Sequence, residues 1–342
     1  MTLKEIADQL GVSASSISIV RKGKPGVSAA TRRSIQLMLE QNGYSYDVYS
    51  QNDYEHVRPL RGTDGHTICL LKHARSALLT DNNEGFIAGL IDPITVAIAA
   101  EGYTLEIKAV NSEEYPDFLR ALSEEQFSGL LVIATEMTQD ELCQLSQVRI
   151  PTVVLDTDYP YIPHSSVTMN NRQLAWQAVA KMASRGSVGY LKSSQATGNF
   201  TARSVGYQEA LAAFSLPTDA VLVFHVTPSL DGAEKDMENL LNEKRAVPPA
   251  LFADNDVIAI GCMRALLRHG VRIPEDTQLI GVDDTLLSQV INPSLSSMQI
   301  SRTQMASQAV KLLIETMADP ARLTSHIHID ARLICRRSLE EK

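Results

Sequence analysis

From residue 66 onward, short apolar runs alternate with stretches of helical periodicity, and this alternation limits the possible folds more than any other feature of the chain. The runs at 67–71, 129–133, 151–155, 188–191, 221–224, 250–252 and 278–282 are too short for helices, while 103–107 alternates apolar with polar. Between them lie helical patterns at 86–100, 118–125, 138–147, 172–185, 204–214, 233–243 and 257–269. A last set adds a run at 297–300, a helix over 303–317 and a closing strand near 326–335. Buried strands separated by helices predict parallel sheets covered on both faces. At 342 residues the chain exceeds what one core supports, so two Rossmann-like lobes are expected. Pro93 lies within the first of these helical patterns, where an interior proline costs about 3 kcal/mol, so a kink or a late start is expected there.

A different pattern precedes the alternation. Leu3, Ile6, Ala7 and Leu10 have helical spacing, Gly11 breaks it, and Ser13 stands where it can cap a second helix carrying Ile17 and Val20. Two short helices joined by a Gly-containing turn are what a helix-turn-helix requires, and the small Ala7 allows close crossing. A third helix is predicted after Ser28, with Ile35, Leu37, Met38 and Leu39 as its apolar face, ending at Gly43. Residues 47–65 lose apolar periodicity and contain Pro59, Gly62 and Gly65, which reads as a linker. The organisation is thus 1–46 head, 47–65 linker or hinge, and 66–342 core.

The formal charge is -9, yet the first 46 residues carry +3, from Lys4, Arg21, Lys22, Lys24, Arg32 and Arg33 against Glu5, Asp8 and Glu40. The remaining 296 residues therefore carry -12, so positive charge is confined to the segment that would meet phosphate. Lys4 and Glu5 interrupt any N-terminal apolar run, and no segment approaches the roughly 18 apolar residues of a membrane span, so a cytoplasmic protein without membrane contact is expected. Cys69, Cys143, Cys262 and Cys335 lack metal-ligand spacing and read as reduced thiols. No Walker loop, Gly-x-Gly-x-x-Gly or His/Glu metal spacing occurs, and His164-Ser165-Ser166 lacks a nucleophile elbow. No catalytic residue, metal or cofactor is expected.

The phrase Leu3-x-Glu5-Ile6-Ala7-x4-Val12-Ser13-x2-Ser16-Ile17-Ser18, then Gly23-Lys24-Pro25-Gly26-Val27-Ser28-x2-Thr31-Arg32 and Gly43-Tyr44, resembles the DNA-binding head of the LacI/GalR family of bacterial transcription regulators. The order of later elements resembles that family's core over essentially the whole chain. The resemblance implies an all-α helix-turn-helix head followed by an α/β, two-lobed periplasmic-binding-protein-like core with two parallel sheets. By the same resemblance the lobes comprise about 66–160 with 292–322, and about 161–291 with 323–342, the chain crossing between them three times. It implies a homodimer that binds a pseudo-palindromic operator, Ala14, Ser15, Ser16 and Ile19 reading bases and Ser13, Ser18, Arg21, Lys22, Lys24 and Arg32 meeting phosphates. Ile19 stands where the family often has an Arg, which restricts it to apolar contacts such as a thymine methyl. The family's hinge helix carries a Leu that wedges into the minor groove; here Asp53 stands near that position, and an aspartate cannot act as a wedge.

Ligands of open parallel sheets bind beyond the carboxyl ends of the strands, so the loops there are the candidate effector contacts. Thr135 and Asp156 follow two strands directly; for Asp156 and Asp158, capping is an equal alternative. Resemblance to the family's ligand loop adds Asp81, Asn83, Glu84 and Phe86. Its Arg-rich motif corresponds to Thr201 and Arg203 before Gly206-Tyr207, with Phe200 able to stack on a ligand. Asp254-Asn255-Asp256 and Gly281-Val282-Asp283-Asp284 match two further family phrases. They imply that Asn255 and Asp283 face the cleft while Asp256 and Asp284 cap the helices that follow. Asn170-Asn171-Arg172 resembles a family triplet that either joins the lobes or contacts ligand. The expected effector is a sugar or sugar derivative that controls operator affinity, probed against the alternative of a stand-alone cytoplasmic binding protein with a weakened head.

Overall fold

The computed structural model describes residues 3–21, 31, 34, 35, 38, 39, 66–75, 84–122, 127–159 and 161–340. The chain divides into two compact units, residues 1–61 and 62–342. In the first, helices α1 (Leu3–Leu10) and α2 (Ala14–Arg21) are joined by a turn in which Gly11 takes φ +63°, the left-handed conformation that glycine adopts without steric cost. The Val12 amide then donates to the Ala7 carbonyl at 3.0 Å, closing the end of α1, and the Ser16 amide donates to Ser13 Oγ at 3.1 Å, capping α2. Ile6, Ala7, Ile17, Val20, Ile35 and Leu39 bury together as a small core, residues 35 and 39 lying in a further helical stretch. The linker 47–65 lies outside the described residues.

The second unit contains two six-stranded sheets. The first takes β1 (Thr67–Ala74), β2 (Thr104–Asn111), β3 (Gly129–Ile133), β4 (Thr152–Leu155) and β5 (Ser165–Met169) in the order β2-β1-β3-β4-β5. Helices α3 (Glu84–Ala100), α4 (Tyr115–Leu122) and α5 (Gln139–Leu145) connect successive strands. The second sheet repeats that order with β6 (Gly189–Ser193), β7 (Val223–Val226), β8 (Ala250–Ala253), β9 (Gln278–Val282) and β10 (Ser296–Gln299). Here α6 (Asn171–Met182), α7 (Gly198–Ala213), α8 (Leu230–Asn242), α9 (Asp256–Arg268) and the short α10 (Leu286–Val290) alternate with the strands. After α11 (Arg302–Ala318), β11 (His326–Ile329) joins the edge of the first sheet in parallel, and β12 (Arg332–Ile334) joins the second antiparallel to β10. Strands β3, β5, β8 and β9 are buried along their whole length, which explains their continuous apolar or small-residue sequences. Among the described residues no helix is long and apolar enough to cross a membrane.

Four expectations change. The closing strand expected near 326–335 is two strands in different sheets. Residues 165–169 and 326–329 belong to the first sheet and 296–299 to the second, so the expected lobe limits shift at each crossing. Ser165-Ser166-Val167-Thr168-Met169 carries too many hydroxyls to read as a strand, yet it lies buried between β4 and β11. Helix α3 begins nine residues before Pro93, which rules out the late start.

The chain passes between the sheets at 169–171, 299–302 and 329–332, and hydrogen bonds tie these crossings together. Asn170 Nδ2 donates to Asp330 Oδ1 at 2.8 Å, the Asn170 amide donates to the Ile329 carbonyl at 2.9 Å, and Arg332 Nε donates to Gln299 Oε1 at 2.7 Å. Asn170 also caps α6, accepting from the Gln173 amide.

Helices α6 and α7 cross at Gly206, where an added Cβ would lie 2.0 Å from the Arg172 carbonyl oxygen. Backbone cannot move aside as a side chain can. Gly→Ala in a free helix gains about 1 kcal/mol, but overpacking costs about 1–3 kcal/mol or more, so here the clash decides the sign. Gly206→Ala should lower the denaturation midpoint, with a net loss of about 2 kcal/mol; a neutral or stabilised variant would contradict this packing.

Candidate functional site

The carboxyl ends of strands from both sheets converge on one cavity. It is lined by Thr135 after β3, Asp156 after β4, Met169 at the end of β5, Thr197, Asn199, Phe200 and Arg203 around the start of α7, Asn255 after β8 and Asp283 after β9. The cavity is small, about 20 Å³. That is room for about one water, so a larger ligand requires the lobes to part.

Asp156 and Asp283 occupy equivalent places, each the first residue beyond a strand and each with positive φ, 63° and 104°. Left-handed backbone is uncommon outside glycine, although aspartate tolerates it better than most residues. Neighbouring strands hold it here: the Asp156 amide donates to the Val167 carbonyl at 3.1 Å and the Asp283 amide to the Met298 carbonyl at 3.0 Å. This geometry turns both carboxylates towards the cavity. Thr135 Oγ1 donates to Asp156 Oδ2 at 2.6 Å, whereas Asp156 Oδ1 is buried without a hydrogen-bond partner. Burial pushes the Asp156 carboxyl up to about 7, against the hydrogen bond from Thr135, and the nearby Asp283 charge pushes in the same direction.

Arg203 is 2% exposed, and each of its three nitrogens is occupied. Nε donates to Asn171 Oδ1 at 2.9 Å, one terminal nitrogen to the Asp254 carbonyl, and the other lies 3.4 Å from Met169 Sδ. The guanidinium carbon also sits 5.5 Å from the centre of the Phe200 ring. Asn171 Nδ2 donates to Asn199 Oδ1, and Asn199 Nδ2 to the Asp156 carbonyl at 2.7 Å, so one chain of hydrogen bonds runs from Arg203 to the Asp156 backbone.

The capping roles differ from expectation. Asn255, not Asp256, caps α9, accepting from the Ile258 amide at 2.9 Å. Asp256 is the first helical residue, and its side chain turns away from the helix. Its Oδ2 accepts from the Thr285 amide and Oγ1 at 2.8 and 3.1 Å, and its Oδ1 accepts from Ser297 Oγ at 2.6 Å. Complete burial pushes this carboxyl up to about 7 as well. Gly281 leaves room for it, since a Cβ there would lie 2.4 Å from Asp256 Oδ1. Thr285 occupies the cap position of α10, while Asp284 accepts from Gln299 Nε2 and Arg336. These two carboxylates fix the loop that presents Asp283.

Six of the residues singled out from sequence meet in the cavity: Thr135, Asp156, Phe200, Arg203, Asn255 and Asp283. Phe86 is instead wholly buried, with the Arg302 guanidinium 5.2 Å from its ring centre, and Arg302 donates to the Asp283 carbonyl at 3.0 Å. Thr201 is exposed, its hydroxyl donating to the Thr197 carbonyl. Asp81 and Asn83 lie outside the described residues, and of Glu84 only the backbone, at the start of α3, is described. Met169, Thr197 and Asn199 were not anticipated; Thr197 caps α7, and its position before a helical run was the available signal. In the head, Ser13, Ser15, Ser18 and Arg21 are exposed and Ser16 and Ile19 half-buried. Ala14 begins α2, and Lys22, Lys24 and Arg32 lie outside the described residues.

A family model described as a periplasmic binding protein-like domain matches residues 160–339. The chain is 24% identical over 348 residues to the HTH-type transcriptional repressor PurR of Aliivibrio salmonicida, covering 99% of both proteins. Among solved structures it is similar to a transcriptional regulator CelR–cellobiose complex, with TM-score 0.71, 23% identity and 99% of each chain covered. It is also similar to the lac repressor dimer bound to operator and the anti-inducer ONPF, with TM-score 0.70, 20% identity and 99% coverage of each chain. These proteins are transcriptional regulators, not enzymes.

The raised Asp156 carboxyl has a consequence for stability. Below about pH 4 it is protonated in folded and unfolded chains alike; between about 4 and 7 only the unfolded chain releases the proton, so stability falls as pH rises through that window. Asp156→Asn should flatten this decline and leave the variant more stable than the parent at pH 7, by on the order of a few kcal/mol. Urea unfolding at a series of pH values measures it, and parallel pH profiles for the two proteins would contradict the assignment.

Proposed function

The chain belongs to the LacI/GalR family of transcription regulators, within the periplasmic-binding-protein-like fold, and from that premise we propose that a sugar or sugar derivative bound in the cavity controls its affinity for operator DNA. It is a DNA-binding transcriptional regulator with an effector-binding core. The observation that carries the finer reading is the pair of strand-end carboxylates, Asp156 and Asp283, one from each sheet on a single cavity. Carboxylates accept hydroxyl hydrogen bonds, and Phe200 and Met169 supply apolar area for a sugar face. The cellobiose held by the similar CelR complex supports the same ligand class. Contacts that exist only when both lobes grip the ligand favour the closed state, which is the differential affinity that an allosteric shift requires.

In the head, α2 is the reading helix. Ser15, Ser16 and Ile19, with Ala14, face the bases in this reading, and Ser13, Ser18, Arg21, Lys22, Lys24 and Arg32 meet phosphates. The operator is a pseudo-palindrome bound by a homodimer, and the protein acts as a repressor. Self-association has support in the core: Leu286 and Val290 of α10 are 75% and 68% exposed, with Leu287 beside them, so one short helix presents three apolar side chains to solvent. The lac repressor relative is likewise a dimer on its operator.

A gel shift of the full-length chain on the DNA upstream of its own transcription unit, with and without a panel of neutral sugars, tests the reading. At least one sugar should change DNA affinity by about 5–150-fold, and a full palindrome should bind much more tightly than a half-site. Asp156→Asn and Asp283→Asn should lose the sugar response while keeping sugar-free DNA binding. A response unchanged in both variants would contradict the cavity's role.

A further inference from the structure

The structure assigns a second, separate ligand site to the edge of the first sheet: we propose that Asp158, His164 and His326 bind a divalent transition-metal ion of the zinc class, with His328 orienting the carboxylate. The three ligand atoms, one from each side chain, all lie within 4.8 Å of one another. His326 Nδ1 is 2.9 Å from Asp158 Oδ1, and His164 Nε2 is 3.8 Å from the same oxygen. Tetrahedral zinc with bonds of about 2.0–2.2 Å separates its ligand atoms by roughly 3.3–3.5 Å, so both spacings bracket what the ion needs. Two imidazoles and one carboxylate are a donor set suited to zinc, with a fourth position left for water.

His164 supplies the independent sign of a ligand. It is only 8% exposed, and its Nδ1 makes a 2.7 Å hydrogen bond with the Ile162 carbonyl. That bond requires the proton on Nδ1, so Nε2 presents a lone pair, and it does so towards Asp158 and His326. Nε2 is itself buried without a hydrogen-bond partner. A buried imidazole whose outer nitrogen is held by a backbone carbonyl while its inner nitrogen faces other donors is the arrangement in which histidine binds metals.

The remaining parts act as supports. His326 and His328 are two residues apart on β11 and therefore share one face of the strand. His328 Nε2 lies 3.2 Å from Asp158 Oδ2, the oxygen not offered to the ion, and fixes the carboxylate's orientation. Ser166 Oγ, 3.1 Å from His326 Nδ1, gives that ring a polar neighbour from β5. An ion here would pin the 156–164 connection to the last strand of the first sheet. That connection begins at Asp156, so the clamp would stiffen the loop that presents a cavity carboxylate. Local spacing does not reveal the site, because His326 is 168 residues from Asp158 and only the pairing of β5 with β11 brings them together.

The test uses the tag-free, full-length protein stripped with a chelator and then dialysed. Titration with Zn²⁺ should saturate at one ion per chain in calorimetry and raise the unfolding temperature, and Co²⁺ should produce the visible absorption of a four-coordinate nitrogen and oxygen site. His326→Ala, on an exposed edge strand and checked for folding by circular dichroism, and Asp158→Asn should each weaken Zn²⁺ binding by about 100-fold or more. His328→Ala should weaken it by about 10–100-fold, the usual effect of losing a supporting partner. Cys143→Ser with Cys335→Ser should leave it unchanged, since both thiols are exposed and neither belongs to the cluster. Absence of stoichiometric binding, or equal affinity in folded His326→Ala and Asp158→Asn, would overturn the proposal and leave a hydrogen-bonded imidazole network.

Discussion

A guanidinium cannot shed its charge inside a protein, so burying one obliges the fold to bring acceptors to it. Arg203 imposes that obligation at the centre of this molecule. Its acceptors come from the β5–α6 crossing and the loop after β8, and it faces the end of the first sheet through Met169. Asn171 and Asn199 extend the network to the backbone of Asp156. Removing any one of these partners would leave a buried polar group unpaired, which costs more than the bond contributes when present. The position of Asp156 is therefore tied to satisfying one cation, and Arg203 braces that wall of the site through all three of its nitrogens.

The second set of constraints works on the other wall. Asp256 holds the loop after β9 by two hydrogen bonds from Thr285 and ties it to Ser297 of β10 by a third, Gly281 gives its carboxylate room, and Asp284 is held by Gln299 and Arg336. Between these anchors Asp283 is kept at φ 104°, a conformation it would not adopt alone. Arg302, beside Phe86, reaches the Asp283 carbonyl from the start of α11, so the crossing at 299–302 and the cavity loop share a contact.

Much of this was legible in the sequence, for identifiable reasons. Strands buried on both faces read as apolar runs, and positions directly after them identified Thr135 and Asp156, because parallel topology fixes which end of a strand meets a ligand, while Asn255 and Asp283 came from the family phrases they match. What escaped was polar or non-local. Strand β5 was hidden by its two serines and threonine, and with it Met169. Asn255 and Asp256 adjoin, and no pattern distinguishes the one that caps from the one that reaches across to Thr285 and Ser297. Phe86 matched a family phrase, but its ring packs against Arg302 inside the core. The histidine cluster depends on strand pairing across more than 150 residues, beyond what any local motif encodes.

The central claim is that the effector sits between the two sheets and is gripped by both. Hydrogen–deuterium exchange of the full-length protein, with and without a sugar that alters operator binding, tests it directly. Residues 134–136 and 156–158 of one lobe and 254–256 and 283–285 of the other should gain protection together, at one sugar concentration. Protection confined to a single lobe, or appearing only away from these loops, would contradict the account.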